Sequence, residues 1–315
     1  MKNIFKIAFI GAGNMTKNHI KSFSSFSEFE ICGIHSRTKN KAIELSTKFP
    51  NCIVCDSIED LYNITKADLV VISVPELSTK SVCLEAFKYG WKILIEKPVG
   101  YNLQEAKDIF EYSLKTEATV YVAFNRRHYS STLNLIKELN INNEPRLIHI
   151  YDQEGPIAAK KSNQPDLVLK NWMFANSIHL IDYLQFLGRG KIVEIKNILP
   201  WKDENTIFFM SKISYESGDI AIYESIWDSP APWAIVINTK SKRYELRPIE
   251  KLFIQNDGSR LQIEIEQSKD DIDYKPGLKK QSENVLKMLK GDSHDLPNLK
   301  DSLDTMILIN QIYFG

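Results

Sequence analysis

The sequence predicts an α/β protein of two domains, in which a doubly wound parallel sheet precedes an α+β domain with a mostly antiparallel open sheet. Strand and helix patterns alternate through the first 120 residues, and the apolar run LVVISV at 69–74 suits a strand buried on both faces. Residues 192–265 have the pattern of successive strands separated by turn clusters. We divide the 315 residues into 1–122 and 123–315, and expect the terminal helices to pack back on the first domain.

The first domain alternates β-branched apolar segments with longer polar segments that carry one apolar stripe, as strands and crossover helices of a parallel sheet do. The predicted strands are Ile4–Ile10, Phe29–His35, Ile53–Cys55, Asp68–Val74, Lys92–Ile95 and Val120–Phe124. The predicted helices are Thr16–Phe26, Thr38–Phe49, Ser78–Gly90 and Leu103–Thr116.

The second domain is predicted to begin with a helix over Ser131–Leu139 and a strand over Arg146–Asp152. A polar stretch with little periodicity follows over 153–170, and then a helix over Ser177–Leu187. Turn clusters such as SGD at 217–219 and NDGS at 256–259 separate the later strands. Two terminal helices are indicated by stripes at helical spacing: Val285, Leu286, Met288 and Leu289, then Leu303, Met306, Ile307 and Asn310.

The composition argues against several classes of function. Lys plus Arg and Asp plus Glu each number 40, so no net charge attracts the molecule to nucleic acid or to an anionic membrane. No apolar run approaches the roughly 18 residues that cross a bilayer, and the N-terminus lacks the pattern of a cleavable signal. We therefore expect a cytoplasmic protein without nucleic-acid or membrane partners.

The cysteines do not form a recognisable metal or redox motif. Only Cys52 and Cys55 make a CxxC pair, whereas a zinc ribbon needs two pairs and a redox pair should open a helix after a strand. We expect Cys32, Cys52, Cys55 and Cys83 to be buried or partly buried thiols, and we expect no metal site.

The clearest motif is the turn Gly11-Ala12-Gly13-Asn14-Met15-Thr16 between the first strand and the first helix. The first glycine permits a tight turn, and the second lets the backbone approach a pyrophosphate bound by helix N–H groups. Thr16 replaces the usual third Gly or Ala, which governs helix packing. In this context the motif predicts a dinucleotide site with Gly11, Gly13, Asn14 and Met15 as contacts, rather than a plain turn.

The end of the second strand bears on the choice between NAD and NADP. A site for NAD usually carries an acidic residue there, whereas this chain has Ser36-Arg37-Thr38. Arg37 and the hydroxyls of Ser36 and Thr38 are suited to hold a 2′-phosphate, with help from Lys39 and Lys41. We expect NADP, with NAD and a merely solvated basic turn as alternatives.

Glu96-Lys97-Pro98 follows the strand KILI at the carboxyl edge of the sheet, where doubly wound folds bind ligands. A lysine at this edge can donate a hydrogen bond to a reacting oxygen and stabilise developing negative charge. A cis bond before Pro98 would explain a rigid turn at the end of the strand.

Together these segments resemble the Gfo/Idh/MocA family of NAD(P)-dependent oxidoreductases over nearly the whole chain. The matching segments are GAGNMTKNH at 11–19, DLVVISVP at 68–75, EKPVG at 96–100, FNRRH at 124–128 and HLIDYLQFLG at 179–188. The resemblance implies a Rossmann domain, a second domain whose open sheet makes oligomer contacts, and hydride transfer on a sugar, cyclitol, sugar nucleotide or related polyol. We assign Pro75, Glu96 and Lys97 to the cofactor site as well.

His179 and Asp182 are spaced to project from one face of a helix. The resemblance implies that His179 is the acid/base group facing the substrate, which suits an imidazole. Asp182 is expected to orient a neighbour or to be structural. Family members usually carry an Asp four residues before this histidine, but Ala175 occupies that position here. Asn176 could supply a hydrogen bond but cannot take the proton.

Further substrate contacts are expected around these residues. Asn125 and Arg127 resemble the family's NxR segment, with an interdomain salt bridge as the alternative for the arginines. Trp172, Trp227 and Trp233 could stack on a sugar ring, although core or interface positions are commoner for such residues. We assign Lys97, Asn125, Arg127, Trp172, Asn176 and His179 to the substrate site.

Three functions remain open. The first is an NADP-preferring oxidoreductase acting on a carbohydrate-type small molecule, in which Lys97 polarises the reacting oxygen and His179 handles its proton. The second, which Ala175 favours, is a dinucleotide-binding homologue that has lost turnover and serves as a sensor or partner subunit. The third retains its cofactor and uses transient oxidation to allow elimination, hydrolysis or epimerisation. In each case we expect a homo-oligomer, a dimer or a tetramer, formed through the C-terminal sheet.

Overall fold

A computed structural model describes residues 4–315, which form two compact units. The first unit combines the chain up to Asn125 with Asp273–Leu303, and the second combines Arg126–Ile272 with Asp304–Gly315. Our division into 1–122 and 123–315 differs from these units, because residues 273–303 group with the first.

The first unit contains a six-stranded, wholly parallel sheet in the order β3-β2-β1-β4-β5-β6. Its strands are β1 (Phe5–Ile10), β2 (Phe29–His35), β3 (Ile53–Cys55), β4 (Leu69–Ile72), β5 (Lys92–Ile95) and β6 (Val120–Val122). The strand order reverses between β1 and β4, and doubly wound folds bind ligands at the carboxyl ends of the strands at such a point. The predicted doubly wound sheet is therefore confirmed.

Five helices connect these strands: α1 (Asn14–Phe23), α2 (Lys39–Ser46), α3 (Ile58–Thr65), α4 (Glu76–Ala86) and α5 (Leu103–Lys115). Ile20 and Phe23 of α1 pack into one buried cluster with Ile7 and Phe9 of β1. We did not predict α3, which has only eight residues. The hydroxyl of Ser57 begins this helix by accepting the backbone N–H of Asp60 at 2.9 Å.

The second unit is built on an eight-stranded sheet in the order β14-β13-β12-β11-β7-β10-β9-β8. Its strands are β7 (Leu147–Glu154), β8 (Ile192–Leu199), β9 (Phe208–Tyr215), β10 (Ile220–Trp227), β11 (Ala234–Asn238), β12 (Lys242–Leu246), β13 (Leu252–Asn256) and β14 (Ile263–Ile265). Only β7 and β10 pair in parallel, and the other neighbours are antiparallel. The predicted mostly antiparallel sheet is confirmed.

Strand β7 is longer than predicted. Its pairing with β10 continues to Glu154 opposite Trp227, so the expected end at Asp152 and the expected polar stretch from 153 are wrong. Side chains at even positions point inward along β7, and the last two of these are Asp152 and Glu154. The stretch beyond the strand also contains two short helices, Pro156–Lys161 and Asp166–Lys170.

The remaining helices are α6 (Ser130–Leu139), α7 (Pro156–Lys161), α8 (Asp166–Lys170), α9 (Ile178–Leu187), α10 (Lys269–Asp273), α11 (Leu278–Lys290) and α12 (Leu299–Phe314). A turn of 3-10 helix covers Asn125–His128, and a turn of π-helix over Met173–Ser177 leads directly into α9. In α11, Val285, Leu286 and Met288 join the core cluster of the first unit, which explains its grouping there. Between residues 4 and 315, no helix has the length and apolar character needed to cross a membrane.

The four cysteines are unpaired thiols, buried except for the half-buried Cys52. Burial raises the pKa of Cys32 to about 11 and that of Cys52 to about 12. Both thiols therefore stay protonated at neutral pH, which makes them poor nucleophiles. The expectation of buried or partly buried thiols is confirmed.

Candidate active site

The turn after β1 is shaped by Gly11. Its N–H donates to the carbonyl of His35 at 2.8 Å, and the N–H of Ser73 donates to the carbonyl of Ile10 at 2.8 Å. Gly11 has a φ of +111°, and an added Cβ would lie 1.9 Å from the Ser73 carbonyl oxygen. Only glycine fits at this position, since both the backbone angle and the space exclude a side chain.

Gly13 begins α1 and faces open space. An added Cβ there would meet no atom within 4 Å among the described residues, and no side chain caps the first turn of the helix. The first backbone N–H groups of a helix, here those of Asn14 and Met15, have no acceptor within the helix. The first turn also has no acidic side chain. This exposed cradle therefore fits the pyrophosphate of a dinucleotide, in both charge and space.

The segment after β2 presents Arg37 to solvent. The hydroxyl of Ser36 accepts the N–H of Thr38 at 3.2 Å, and Arg37 and Thr38 are exposed. Lys39 contacts Asp56 at 2.5 Å, and this hydrogen bond lowers the pKa of Asp56. Lys39 is thus engaged with a carboxylate, whereas Arg37 and Lys41 are exposed.

Glu96 and Lys97 directly follow β5 at the same carboxyl edge, and the Lys97–Pro98 bond is cis, as expected. The side chain of Glu96 is held in place by a contact with helix α1. Its Oε1 lies 2.7 Å from Nε2 of the buried His19 on that helix. Lys97 is half-buried. The sheet edge thus brings Lys97 together with the predicted cofactor contacts that follow β1 and β2.

Two further residues of the first unit were assigned to the site. Pro75 is exposed at the start of α4, also after a strand of the parallel sheet. Asn125 is buried, and its Nδ2 donates to the carbonyl of Pro276 at 3.0 Å. This bond ties Asn125 to the backbone of its own unit, so its predicted substrate contact stays a prediction.

In the second unit, Arg127 is engaged with Asp182. Its Nε and Nη2 donate to the two carboxylate oxygens at 2.7 and 2.6 Å, and the hydroxyl of Thr305 donates to Asp182 at 3.0 Å. Both Arg127 and Asp182 are largely buried. This geometry favours a structural role for Asp182 and places the Arg127 guanidinium in an ion pair inside one unit, not between domains.

His179 lies in the first turn of α9, directly after the π-helical turn that contains Ala175 and Asn176. His179 and Ala175 are buried, whereas Trp172, just before the turn, and Asn176, within it, are half-buried. No carboxylate comes from position 175. One does approach the turn from β7: Oε2 of Glu154 accepts Nε1 of Trp172 at 2.5 Å and Nδ2 of Asn176 at 2.9 Å.

Sequence reasoning missed Glu154 and its neighbour Asp152, both of which are fully buried. A signal was present, because Ile148, Ile150, Asp152 and Glu154 occupy alternate positions, and two carboxylates therefore end an inward-facing apolar row. Burial raises the pKa of Glu154 well above its usual range, and the nearby charge of Asp152 adds to this effect. Burial also raises the pKa of Asp152, while hydrogen bonds from Glu154 and Tyr223 oppose that rise.

Trp172 and Asn176 also line a cavity of about 510 Å³ within the second unit. Its lining is neutral, with amide, hydroxyl, indole and small side chains: Gln153, Gly155, Ala158, Ala159, Ser162, Gln164, Trp172, Asn176 and Trp233. Trp233 is held by its Nε1, which donates to the carbonyl of Gln153 at 2.7 Å. Trp227, in contrast, is buried in an aromatic cluster with Trp201 and Tyr313.

Comparison with known proteins finds a family model that matches the first part of the chain. A sequence model described as an oxidoreductase family with an NAD-binding Rossmann fold matches residues 5–124, which contain the glycine turn, Arg37 and Lys97. This match bears out the expected resemblance to the Gfo/Idh/MocA family over residues 5–124, and it ends at the residue before Asn125.

Relatives and solved structures extend the likeness beyond the Gfo/Idh/MocA segment. The chain is 26% identical to glucose-6-phosphate 3-dehydrogenase of Bacillus subtilis (strain 168) over 139 residues, 44% of this chain and 39% of that protein. It is 23% identical to inositol 2-dehydrogenase of Corynebacterium glutamicum (strain R) over 203 residues, 64% of this chain and 59% of that protein. These matches span less than two thirds of either relative. The fold of UDP-N-acetylglucosamine 3-dehydrogenase from Acidithiobacillus ferrooxidans superimposes with a TM-score of 0.78 at 16% identity, covering 98% of this chain and 96% of that one.

Proposed function

We propose that this chain is an NADP-preferring oxidoreductase that transfers a hydride between nicotinamide and a hydroxyl- or carbonyl-bearing carbon of a sugar, sugar nucleotide or sugar-derived substrate. The observation that carries the proposal is the glycine cradle at the start of α1, inside the segment that matches the model of an NAD-binding oxidoreductase family. The named activities of the relatives, on glucose 6-phosphate and inositol, support the substrate class.

The preference for NADP rests on Arg37. Gly11, Gly13, Asn14 and Met15 would hold the pyrophosphate, and Ser36, Arg37 and Thr38 would hold the ribose phosphate. When bound, the cofactor supplies the hydride acceptor or donor. The exposed guanidinium is a charge-assisted donor for a 2′-phosphate, and the segment 36–38 has no carboxylate to repel one.

In the proposed reaction, Lys97 stabilises charge on the reacting oxygen and His179 transfers the proton. The Lys97 ammonium donates a hydrogen bond to the reacting oxygen and stabilises negative charge that develops there. The His179 imidazole takes the hydroxyl proton during oxidation and returns it during reduction. Glu96, which is bound to His19, orients the chain at Lys97.

The cavity of the second unit supports a polyol substrate. Amide groups of Gln153, Gln164 and Asn176 and the hydroxyl of Ser162 can exchange hydrogen bonds with sugar hydroxyls, and the indoles of Trp172 and Trp233 offer flat apolar surfaces. A ligand pocket commonly combines such surfaces with a few polar groups that fix orientation.

A substrate panel tests the proposed function. Sugars, sugar nucleotides, sugar acids and cyclitols are each mixed with NAD(H) and NADP(H), and the nicotinamide absorbance is followed. We expect turnover with at least one member, faster with NADP(H), and its loss in Lys97→Ala with cofactor affinity changed only a few-fold. Turnover that survives Lys97→Ala would remove this lysine from the mechanism.

Ala175 favours a second candidate, a cofactor-binding homologue without turnover. In that case the panel yields no absorbance change with any substrate, although NADPH still binds. His179→Asn separates the two candidates, since it should lower the rate of an enzyme by about 10² to 10⁴ and change nothing in a sensor or partner subunit.

We also propose that the chain forms a dimer or tetramer through the outer face of the eight-stranded sheet and works in the cytoplasm. The outward row of β10 is largely apolar, with Ile220, Ile222 and Ile226, and Leu147 and Phe208 lie beside it on β7 and β9. The unpaired thiols suit a reducing compartment. Light scattering of the wild type and of Ile222→Glu tests the assembly, which the charge should dissociate.

A further inference from the structure

The end of β7 contains two carboxyl groups where the strand pattern calls for apolar side chains. Asp152 is 1% exposed and Glu154 is 0% exposed, and the two inward positions before them are Ile148 and Ile150. Buried carboxyl groups this close together cannot both be ionised without a large cost, so they are expected to share a proton. Nothing in the proposed chemistry of Lys97 and His179 accounts for this pair.

Two of the four carboxyl oxygens accept hydrogen bonds from neighbouring side chains, and the other two do not. Oε2 of Glu154 accepts two N–H groups, from Trp172 at 2.5 Å and from Asn176 at 2.9 Å. Oδ2 of Asp152 accepts the hydroxyl of Tyr223 at 2.5 Å. The other two, Oε1 of Glu154 and Oδ1 of Asp152, receive no donor from any group that the structure describes. The two side chains lie on the same buried face of β7 and interact with each other, so a single proton on Glu154 Oε1, donated to Asp152 Oδ1, would satisfy both oxygens.

The surrounding groups suit a pair with one proton and one negative charge. The positive charge of Arg126 favours the ionised form of Asp152. The Nε and Nη1 groups of Arg126 are buried, and neither has a hydrogen-bond acceptor in residues 4–315. Tyr223 from β10 and Tyr313 from α12 contact each other at 3.1 Å beside Asp152, and the hydroxyl of Ser177 in the π-helical turn also lies near this carboxyl group. One charge on the pair balances one guanidinium, which a neutral or doubly charged pair would not do.

We propose that Asp152 and Glu154 form a buried one-proton pair that replaces the carboxylate missing at position 175, with Glu154 as the positioning residue for Asn176 and Trp172. This inference rests on the proposed function, because it takes the cavity lined by those two side chains as the substrate site. Held through Nδ2, Asn176 keeps its Oδ1 as an acceptor for a substrate hydroxyl. The pair orients the cavity wall and does not itself take the substrate proton.

Infrared spectroscopy of the whole chain tests the shared proton without any substrate. A protonated carboxyl group has a carbonyl band distinct from that of a carboxylate, and at neutral pH the exposed carboxyl groups are ionised. We expect a wild-type minus Glu154→Gln difference spectrum to show loss of a protonated-carboxyl band. Asp219→Asn is the matched control, because Asp219 is also fully buried but bound by Arg189, and it should remove only carboxylate bands. Absence of the protonated band from the Glu154→Gln difference would overturn the proposal.

Thermal unfolding gives a second readout. Gln at 154 mimics the protonated acid, because its amide N–H can bond Asp152 while its oxygen accepts from Trp172 and Asn176. The folded chain holds a proton on Glu154 that the unfolded chain releases above about pH 4.3. Wild-type Tm should therefore fall relative to that of Glu154→Gln as the pH is raised from about 5 to about 9. A Tm difference that does not change with pH would contradict the shared proton.

The positioning role is tested by ligand binding and, where turnover is found, by kinetics. Glu154→Leu removes the acceptor, so we expect the Kd or KM for the substrate to rise about tenfold or more, with kcat changed much less. Glu154→Gln should restore near wild-type values. If Glu154→Gln instead lowers kcat as His179→Asn does, Glu154 transfers the proton itself and the positioning role is wrong. Because the infrared and Tm tests need no substrate, failure of the proposed function leaves them valid.

Discussion

At the scale of single residues, the contact between His19 and Glu96 has the clearest consequence for the proposed chemistry. His19 is 1% exposed and Glu96 is 12% exposed, and the atoms His19 Nε2 and Glu96 Oε1 are 2.7 Å apart. Glu96 immediately precedes Lys97. A buried side chain on α1 therefore determines the direction in which the chain leaves β5 at the candidate catalytic lysine.

We predict that His19→Leu lowers the free energy of unfolding by about 1 to 3 kcal/mol, because it leaves the Glu96 carboxylate without this partner in a poorly hydrated place. His19→Gln is the matched control, since its amide can still donate to Glu96 and should recover much of the loss. Urea unfolding of both variants measures the effect. Equal midpoints for wild type and His19→Leu would show that the contact contributes nothing to stability.

Arg37 carries the prediction for cofactor choice. Arg37→Ala should remove about 1.5 to 3 kcal/mol of preference for NADPH over NADH, the range for hydrogen bonds to charged groups. Titration of both cofactors against wild type and variant measures this preference. Lys48→Ala, which removes an exposed cation beyond the end of α2, controls for general charge and should leave the ratio unchanged. Equal wild-type affinity for the two cofactors would exclude a phosphate site at Arg37.

At the scale of elements, the turn between β1 and α1 contains two glycines with different roles. We expect the fold to require one of them and cofactor binding to require the other. Gly11 has no room for a side chain, since a Cβ would lie 1.9 Å from the Ser73 carbonyl oxygen, whereas Gly13 faces open space. The two glycines stand two positions apart in one turn, yet a methyl group at each should have opposite consequences.

We predict that Gly13→Ala leaves the Tm within about 2 °C of wild type but weakens NADPH binding by about tenfold or more, because the methyl group occupies the space where the pyrophosphate would lie. Gly11→Ala should destabilise the fold by about 2 kcal/mol or more through its positive φ and the backbone clash. Melting curves and cofactor titrations check both. A Gly13→Ala protein that binds NADPH normally would place the cofactor elsewhere.

Elements with local patterns could be predicted from sequence, and the contacts between distant segments could not. The residues after β1, β2 and β5 were assigned to the site because carboxyl ends of parallel strands share one edge, and this needs no side-chain detail. Glu154 was missed because β7 was expected to end at Asp152, and its partners Trp172 and Asn176 come from a turn that packing alone places there. Helix α3 was also missed, although Ser57 and Asp60 form a readable cap at its start.

At the scale of the whole molecule, segments that are far apart in sequence share a core. Helix α11 lies far along the chain, yet Val285, Leu286 and Met288 pack with β1 and α1 residues. An apolar stripe shows that a helix face is buried but not against what. The two sheets, in contrast, could be predicted as separate sheets because one follows a crossover pattern and the other a pattern of adjacent strands.

The pH dependence of stability is also a property of the whole molecule, and Asp219 should dominate its acid side. The carboxylate is fully buried and accepts Nε and Nη2 of Arg189 at 2.8 and 2.6 Å and the backbone N–H of Arg146 at 2.9 Å. Burial alone raises the pKa of Asp219, but the hydrogen bonds from Arg189 and Arg146 outweigh it and lower the pKa overall. Between that lowered pKa and about 3.9, the usual value for Asp, the unfolded chain binds a proton that the folded chain does not.

The stability from Asp219 is therefore fully present above about pH 4 and is lost as the pH falls through the folded pKa. We predict that Asp219→Asn costs about 3 kcal/mol near neutral pH, since it leaves the Arg189 guanidinium without its carboxylate, and that this cost shrinks towards about pH 2. Urea unfolding of both proteins across this range measures it. Because Glu154 binds its proton more tightly in the folded state, the stability difference between wild type and Glu154→Gln should not shrink in this way on the acid side. A difference between wild type and Asp219→Asn that stays constant with pH would mean that the Asp219 carboxylate is not held ionised by Arg189.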